Sequence, residues 1–196
     1  FSTIFGVYVF AGCVVSILSV VILVVLRLKS AGALTSVVTW EHFHDLGKLL
    51  FGFTVFWAYI GFSQFMLIWY ANIPEETFWF ELRWEDPSWQ KLSIFLAVGH
   101  FVVPFFFLIS QWVKRNSLTL TIAALWMLGM HYVDMYWLVM PTAHHGEFHP
   151  NLLLDITCWL GIGGLFIAVF LRLMQRNALV PIHDPRLGES LAFENP

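Results

Sequence analysis

The stretch LLFGFTVFWAYIGFSQFMLIWY, Leu49 to Tyr70, contains no charged residue and is apolar along almost its whole length. A helix that crosses the hydrocarbon core of a bilayer needs about 20 mostly apolar residues in a row, and this run supplies them. Working outward, four more windows meet the same requirement: Thr3 to Leu26, Leu92 to Val113, Leu118 to Met140 and Leu152 to Met174. The reading is an all-α integral membrane protein with five transmembrane helices, a four-helix bundle plus one. Residues 1–177 form the bundle, and 178–196 form an extended tail. That tail carries Pro181, Pro185 and Pro196 with mixed charge and is expected to dock along a neighbouring subunit.

Composition supports this reading. Charged residues make up 12% of the 196-residue chain, about half the usual share in soluble domains, so the chain could not cover itself with polar surface in water. A net charge of -3, with no run among the ten Lys and Arg, gives no footprint for nucleic acid. Phe1 opens directly into apolar sequence, without the charged n-region or cleavage site of a signal peptide. The chain is expected to begin partway through a longer polypeptide or after processing. Cys13 and Cys158 lie inside apolar windows and read as small core residues; there is no CxxC or CxxCH.

The positive charges set an expected orientation. Arg27, Lys29, Lys48, Lys114, Arg115, Arg172, Arg176 and Arg186 fall on one side of the spans, and only Arg83 and Lys91 on the other. The richer side is expected to be cytoplasmic, with the N-terminus outside and the C-terminal tail inside. On the outer side, Ala71 to Gln90 combines Glu75, Glu76, Glu81, Glu85 and Asp86 with Phe78, Trp79, Phe80, Trp84 and Trp89. It reads either as a plain interfacial belt or as a surface under a partner. His144, His145, Glu147 and His149 cluster in the next outer loop. They are read as solvated or partner-facing in preference to a metal site, since no rigid element sets ligand spacing.

Ionisable groups inside the bilayer cost several kcal/mol, so each one needs a reason. His100 and His131 are expected at similar depths, about 13 Å below the outer surface at about 1.5 Å per residue. Asp134 follows His131 by one turn on the same face. Gln64 lies near the depth of Asp134, and Asp155 near the outer end of the fifth span. On the inner side Glu41, His44, Asp45 and Lys48 form one helical stripe that continues through Gly52 to Tyr59, with His42 on another face. Gly52 is expected to leave room for water or a close neighbour. Carboxylates and histidines exchange protons near neutral pH, so the two groups read as two halves of a proton path. His100 reads equally as hydrogen-bonding glue between helices, the His131 and Asp134 pair reads as functional in preference to glue, and Glu41 to Lys48 reads equally as an ion-paired helix start. Gly161, Gly163 and Gly164 suggest close helix contact, and Pro104 a kink.

The segment FHDLGKLLFGFTVFWAYIGFSQFMLIWYANIPEETFWF, Phe43 to Phe80, resembles a known family. So do the STIFGVY start, GHFVVPF around His100, HYVDMYWLV around Asp134 and DPRLGESLAFEN in the tail. Together they resemble the C-terminal half of the second polysulfide-reductase-like (NrfD-type) membrane subunit of bacterial alternative complex III, a quinol:electron-acceptor oxidoreductase. The resemblance implies a multi-pass subunit of about ten helices in the bacterial plasma membrane, with the first half absent here. It implies a homologous NrfD-like sister subunit holding the main quinol site, outer-face subunits carrying iron–sulfur clusters and c-type haems, bound lipids, and no cofactor in this chain. It also implies a supporting role with a proposed proton half-channel, for which His42, His44, Asp45, Lys48, His100, His131 and Asp134 are the matching candidates.

Three other functions compete with that reading. One is a quinol site in this chain, with His131 or Asp134 taking the quinol protons. Another is a b-type haem held by His100 and His131. A substrate transporter would be expected to show paired broken helices, which are not evident in the sequence.

Overall fold

The computed structural model describes residues 4–143, 146–148, 150–181 and 183–192, and all regular structure among them is helical. Five helical segments are long and apolar enough to cross a membrane: Ile4–Ser30, Trp40–Ala71, Pro87–Leu108, Ser117–Ala143 and Leu153–Arg176. Their outward faces carry large apolar side chains, among them Phe62 at 63% exposed and Phe106 at 70%. Bare surface of that kind needs lipid around it, so this is a multi-pass membrane protein.

The chain divides into two units, Phe1–Phe148 and His149–Pro196. In the first, α1 (Ile4–Ser30) packs along both α2 (Trp40–Ala71) and α7 (Ser117–Ala143). α2 ends at Asn72, whose left-handed backbone (φ 49°) turns the chain and whose N–H caps the Ile68 carbonyl. Pro74 then starts the short α3 (Pro74–Glu81). The third span begins at α4 (Pro87–Leu96), where Asp86 accepts from the Ser88 N–H at 2.6 Å. That hydrogen bond holds the Asp86 carboxyl below its ordinary pKa.

This span is not one uniform helix. A π-helical turn, Ala97–Val102, joins α4 to α5 (Val103–Leu108). The chain then breaks at Ile109 and Ser110 before the five-residue α6 (Gln111–Arg115). The span therefore ends at Leu108, short of the expected Val113. Pro104 is the chemical reason for the irregularity. It has no N–H, so neither the i→i+4 bond to His100 nor the i→i+5 bond to Gly99 can form there. The Val103 N–H reaches back to Val98, and the orphaned Gly99 carbonyl accepts instead from the Trp126 indole of α7 at 2.7 Å. Gly99 also lets Met130 of α7 pack close, because a Cβ there would stand 2.9 Å from Met130 Cε. Trp126→Phe removes this donor and leaves the carbonyl buried and unpaired. We expect it to cost about 1–3 kcal/mol, read as a lower unfolding temperature in detergent.

The interior of the first unit has two apolar clusters. One groups Val15, Ile22, Phe43, Leu50, Leu120 and Met127 with their neighbours, and the other Tyr8, Ala11, Trp57, Leu96 and Met130. Cys13 and Cys158 are exposed, not core residues as expected; each sits on a helix face its own unit leaves uncovered. Gly52 is likewise exposed, with nothing within 4 Å of a Cβ built on it.

The second unit holds α8 (Leu152–Arg176), capped by the Asn151 side chain accepting from the Leu154 N–H at 3.3 Å. Within that unit no atom approaches Gly161, Gly163 or Gly164, so the close contact expected of them is not made there. The tail, expected to be extended, contains a five-residue helix, α9 (Leu187–Leu191).

Candidate functional site

Asp134 lies two thirds of the way along α7 with no exposed surface. Two donors from other helices reach it. The Tyr8 hydroxyl of α1 donates to Oδ1, and the Trp57 indole of α2 donates to Oδ2 at 3.0 Å. His131, one turn earlier on α7, brings Nδ1 to 4.0 Å from the same Oδ2. Gly12 of α1 makes room for that ring, since a Cβ there would fall 2.9 Å from His131 Cε1 and 3.5 Å from Asp134 Oδ2. His100 comes in from the π-helical turn, fully buried, and stacks on Trp57 with ring centroids 4.0 Å apart. Neither of its ring nitrogens has a hydrogen-bond partner among the described residues. α1, α2 and α7 thus converge on one carboxyl group, with a phenol and an imidazole beside it, and the π-helical turn reaches the cluster through the His100 ring stacked on Trp57.

This arrangement can hold and hand on a proton. The carboxyl and the phenolic hydroxyl are hydrogen-bonded and can pass a proton between them, while His131 Nδ1, 4.0 Å from the carboxyl, makes no hydrogen bond among the described residues. Trp57, which donates only, fixes the carboxyl orientation without exchanging protons.

The cluster opens to one side. Tyr8 and Trp57 form part of the wall of a groove of about 840 Å³, along with Gln64, Phe65, Trp79, Arg83 and Trp137. Gln64 is 4% exposed, and its Nε2 has no partner among the described residues. Arg83, 1% exposed, also lines the groove. Its guanidinium donates to the carbonyls of Trp79 at 2.6 Å, Leu138 at 2.7 Å and Trp137 at 3.3 Å, and stacks on the Trp79 ring at 3.3 Å.

At the opposite end of the unit, the Glu41 to Lys48 stripe lies on the start of α2, as its spacing suggests. Asp45 pairs with Lys48 at 2.6 Å and Glu41 with Arg115 of α6 at 2.9 Å. His42 caps the helix: its Nδ1 accepts the Thr39 N–H at 3.2 Å. His44 is buried, its Nδ1 unpartnered among the described residues.

Between the two ends lies the apolar cluster of Val15, Ile22, Phe43, Leu50, Leu120 and Met127. The buried hydroxyls at that level, Ser19 and Thr54, are spent on their own helices, donating to the Val15 and Leu50 carbonyls at 2.8 Å each. The two polar groups do not meet inside this unit.

Of the remaining sequence candidates, Tyr59 is 65% exposed and stands apart from the cluster. Asp155 belongs to the second unit, in the first turn of α8. His144, His145 and His149 lie outside the described residues. No group of three metal-ligating side chains occurs among the described residues. Sequence reasoning missed Tyr8, Gly12, Trp57 and Arg83. Compared with known proteins, the chain matches no family model and no curated protein.

Proposed function

We propose that this chain is a membrane subunit of a bacterial quinol:electron-acceptor oxidoreductase of the alternative complex III type, bracing the complex and carrying one proton half-channel. The resemblance over Phe43 to Phe80, around His100 and Asp134 and in the tail supports the family. The excess of Lys and Arg on one side supports an orientation in the plasma membrane with the Arg83 end outside and the C-terminus cytoplasmic. In this reading the partners are the homologous NrfD-like subunit, which holds quinol, and outer-face subunits with iron–sulfur clusters and c-type haems.

One observation carries the proton role: the sealed Asp134 carboxyl takes a hydrogen bond from Tyr8, which also lines the open groove. Protons enter and leave at the Arg83 end through Tyr8, with His131 as the inner exchange partner. The apolar cluster on the far side of the site favours a half-channel over a through-path in this chain.

The groove favours a second reading, a quinol site in this chain itself. Its aromatic walls suit a planar head group, and the Gln64 amide offers a donor to a quinone carbonyl.

Tyr8→Phe separates the readings when quinol oxidation and proton stoichiometry are both measured in the assembled complex. The half-channel predicts a lowered proton-to-electron ratio with quinol oxidation within about twofold of wild type, since a general acid–base contribution is lost only from the proton step. An unchanged ratio sinks it. Collapse of quinol oxidation in both Tyr8→Phe and Gln64→Leu hands the site to the second reading.

A further inference from the structure

α2 is longer than the membrane is thick. Trp40–Ala71 rises ~48 Å at about 1.5 Å per residue, against a hydrocarbon core of about 30 Å. Its polar first turns, carrying Glu41, His44, Asp45 and Lys48, therefore stand at the level of lipid head groups. The short α6 packs against them from between two spans.

Lys114 of α6 is a cation only 7% exposed. Its stem lies flat across Gly47 of α2, where a Cβ would fall 2.7 Å from Lys114 Cγ. An ammonium has three N–H groups to place, yet Nζ makes one long hydrogen bond, to the Ile109 carbonyl at 3.5 Å, and stands 5.8 Å from the Phe51 ring centroid. Beside it, His44 Nδ1 and Arg115 Nε are buried without a hydrogen-bond partner among the described residues. The charges do not balance locally. Lys48, Lys114 and Arg115 all act on His44, opposed by Glu41 alone, and Asp45 and Glu41 are engaged by Lys48 and Arg115. The surplus positive charge is the buried Lys114, whose pKa is held below the ordinary lysine value by burial and by Lys48. A buried ammonium is costly unless an anion completes it.

We propose that Lys114, with His44 and Arg115, binds the phosphodiester of an anionic phospholipid in the notch between α2 and α6. One surplus charge matches the single charge of a phosphodiester better than the higher charge of free phosphate. The head-group level of the notch and its apolar Phe51 flank suit a molecule whose chains stay in the bilayer. Basic pockets between transmembrane helices recognise lipid phosphates in this way. The site does not depend on the proposed function, since it lies at the opposite end of the unit from Asp134.

The test uses the purified protein released from nanodiscs of equal phosphatidylglycerol and phosphatidylcholine into a native mass spectrometer. We expect one retained phosphatidylglycerol, enriched about fivefold or more, the worth of one basic contact. In detergent, dioctanoyl phosphatidylglycerol is expected to raise the unfolding temperature, and dioctanoyl phosphatidylcholine or inorganic phosphate to do so far less. Lys114→Met loses the shift, while Lys91→Met, removing a cation at the other end, keeps it. Retained lipid in the bulk ratio overturns the proposal. So does an equal shift with inorganic phosphate, which assigns the notch to a soluble anion, or equal loss in Lys91→Met, which marks general surface charge. The wild-type measurements decide even where Lys114→Met does not fold.

Discussion

Arg83→Met lowers the stability of the first unit by about 3 kcal/mol or more, the expected cost of leaving several buried acceptors unpaired. Three carbonyls accept from this one side chain. The Trp137 carbonyl has a particular need, because the residue four places on is Pro141, inside α7 and without an N–H to give. The Arg83 Nε takes the place of the missing backbone donor, and Nη2 reaches the next carbonyl, Leu138. Both belong to the closing turns of α7, where the negative end of the helix dipole favours a cation. That dipole and the carbonyls meet the buried charge. Burial pulls the Arg83 pKa down to about 9, still above neutral pH, so the group stays charged. The same guanidinium stacks on Trp79 of α3, tying the connection after α2 to the end of α7. Arg83→Lys restores only part of the loss, since a point ammonium cannot serve three carbonyls in a planar fork. The measurement is thermal unfolding in detergent. For a chain of this size a shift of about 6 °C or more is expected; one under about 2 °C means that Arg83 is not a strut.

Arg83 shows why some of the site was hidden in the sequence. A lone Arg in an acidic aromatic loop reads as a topology marker, and nothing local links it to Pro141, which lies on another helix. The spans themselves were legible, because lipid demands long apolar runs and the chain has them. The His131 and Asp134 pair was legible as well, since one helical turn places both on one face and intramembrane charge needs company. Their partners were not. Tyr8 and Trp57 sit among the 5 Tyr and 10 Trp of a chain 18% aromatic, and only packing shows which hydroxyl and which indole face the carboxyl. Tyr59 failed for a different reason. It shares a helix face with Glu41, as periodicity says, but α6 covers that face only at its start, so Glu41 finds Arg115 while Tyr59 is left bare. Pro104 announced a distortion, but not that the distortion would be a π-helical turn bringing His100 inward.

Asp134→Asn leaves an assembled protein whose proton transfer through this chain falls about 10²-fold or more, the usual span of a lost acid–base group. Asparagine fits the site. Its carbonyl oxygen can accept from the Trp57 indole, which never accepts, and its amide can donate to the Tyr8 oxygen, which does both. The stability cost is therefore about one hydrogen bond, ~1 kcal/mol. The proton route is lost, because an amide neither binds nor releases a proton near neutral pH. Asp134→Leu is the contrasting case. It strands the Tyr8 hydroxyl and the Trp57 N–H without an acceptor, at about 1–3 kcal/mol each, so unfolding temperature and assembly both drop. The pair of variants separates two roles that a single substitution confuses. Proton transfer is read in proteoliposomes of the assembled complex turning over quinol, with an entrapped pH dye, and assembly by size on a gel-filtration column. If Asp134→Asn conducts protons like wild type while Asp134→Leu falls apart, the carboxyl is a clamp between α1, α2 and α7. If Asp134→Asn assembles normally but is silent to protons, the buried group works by titrating, and Tyr8 and His131 become its two exits.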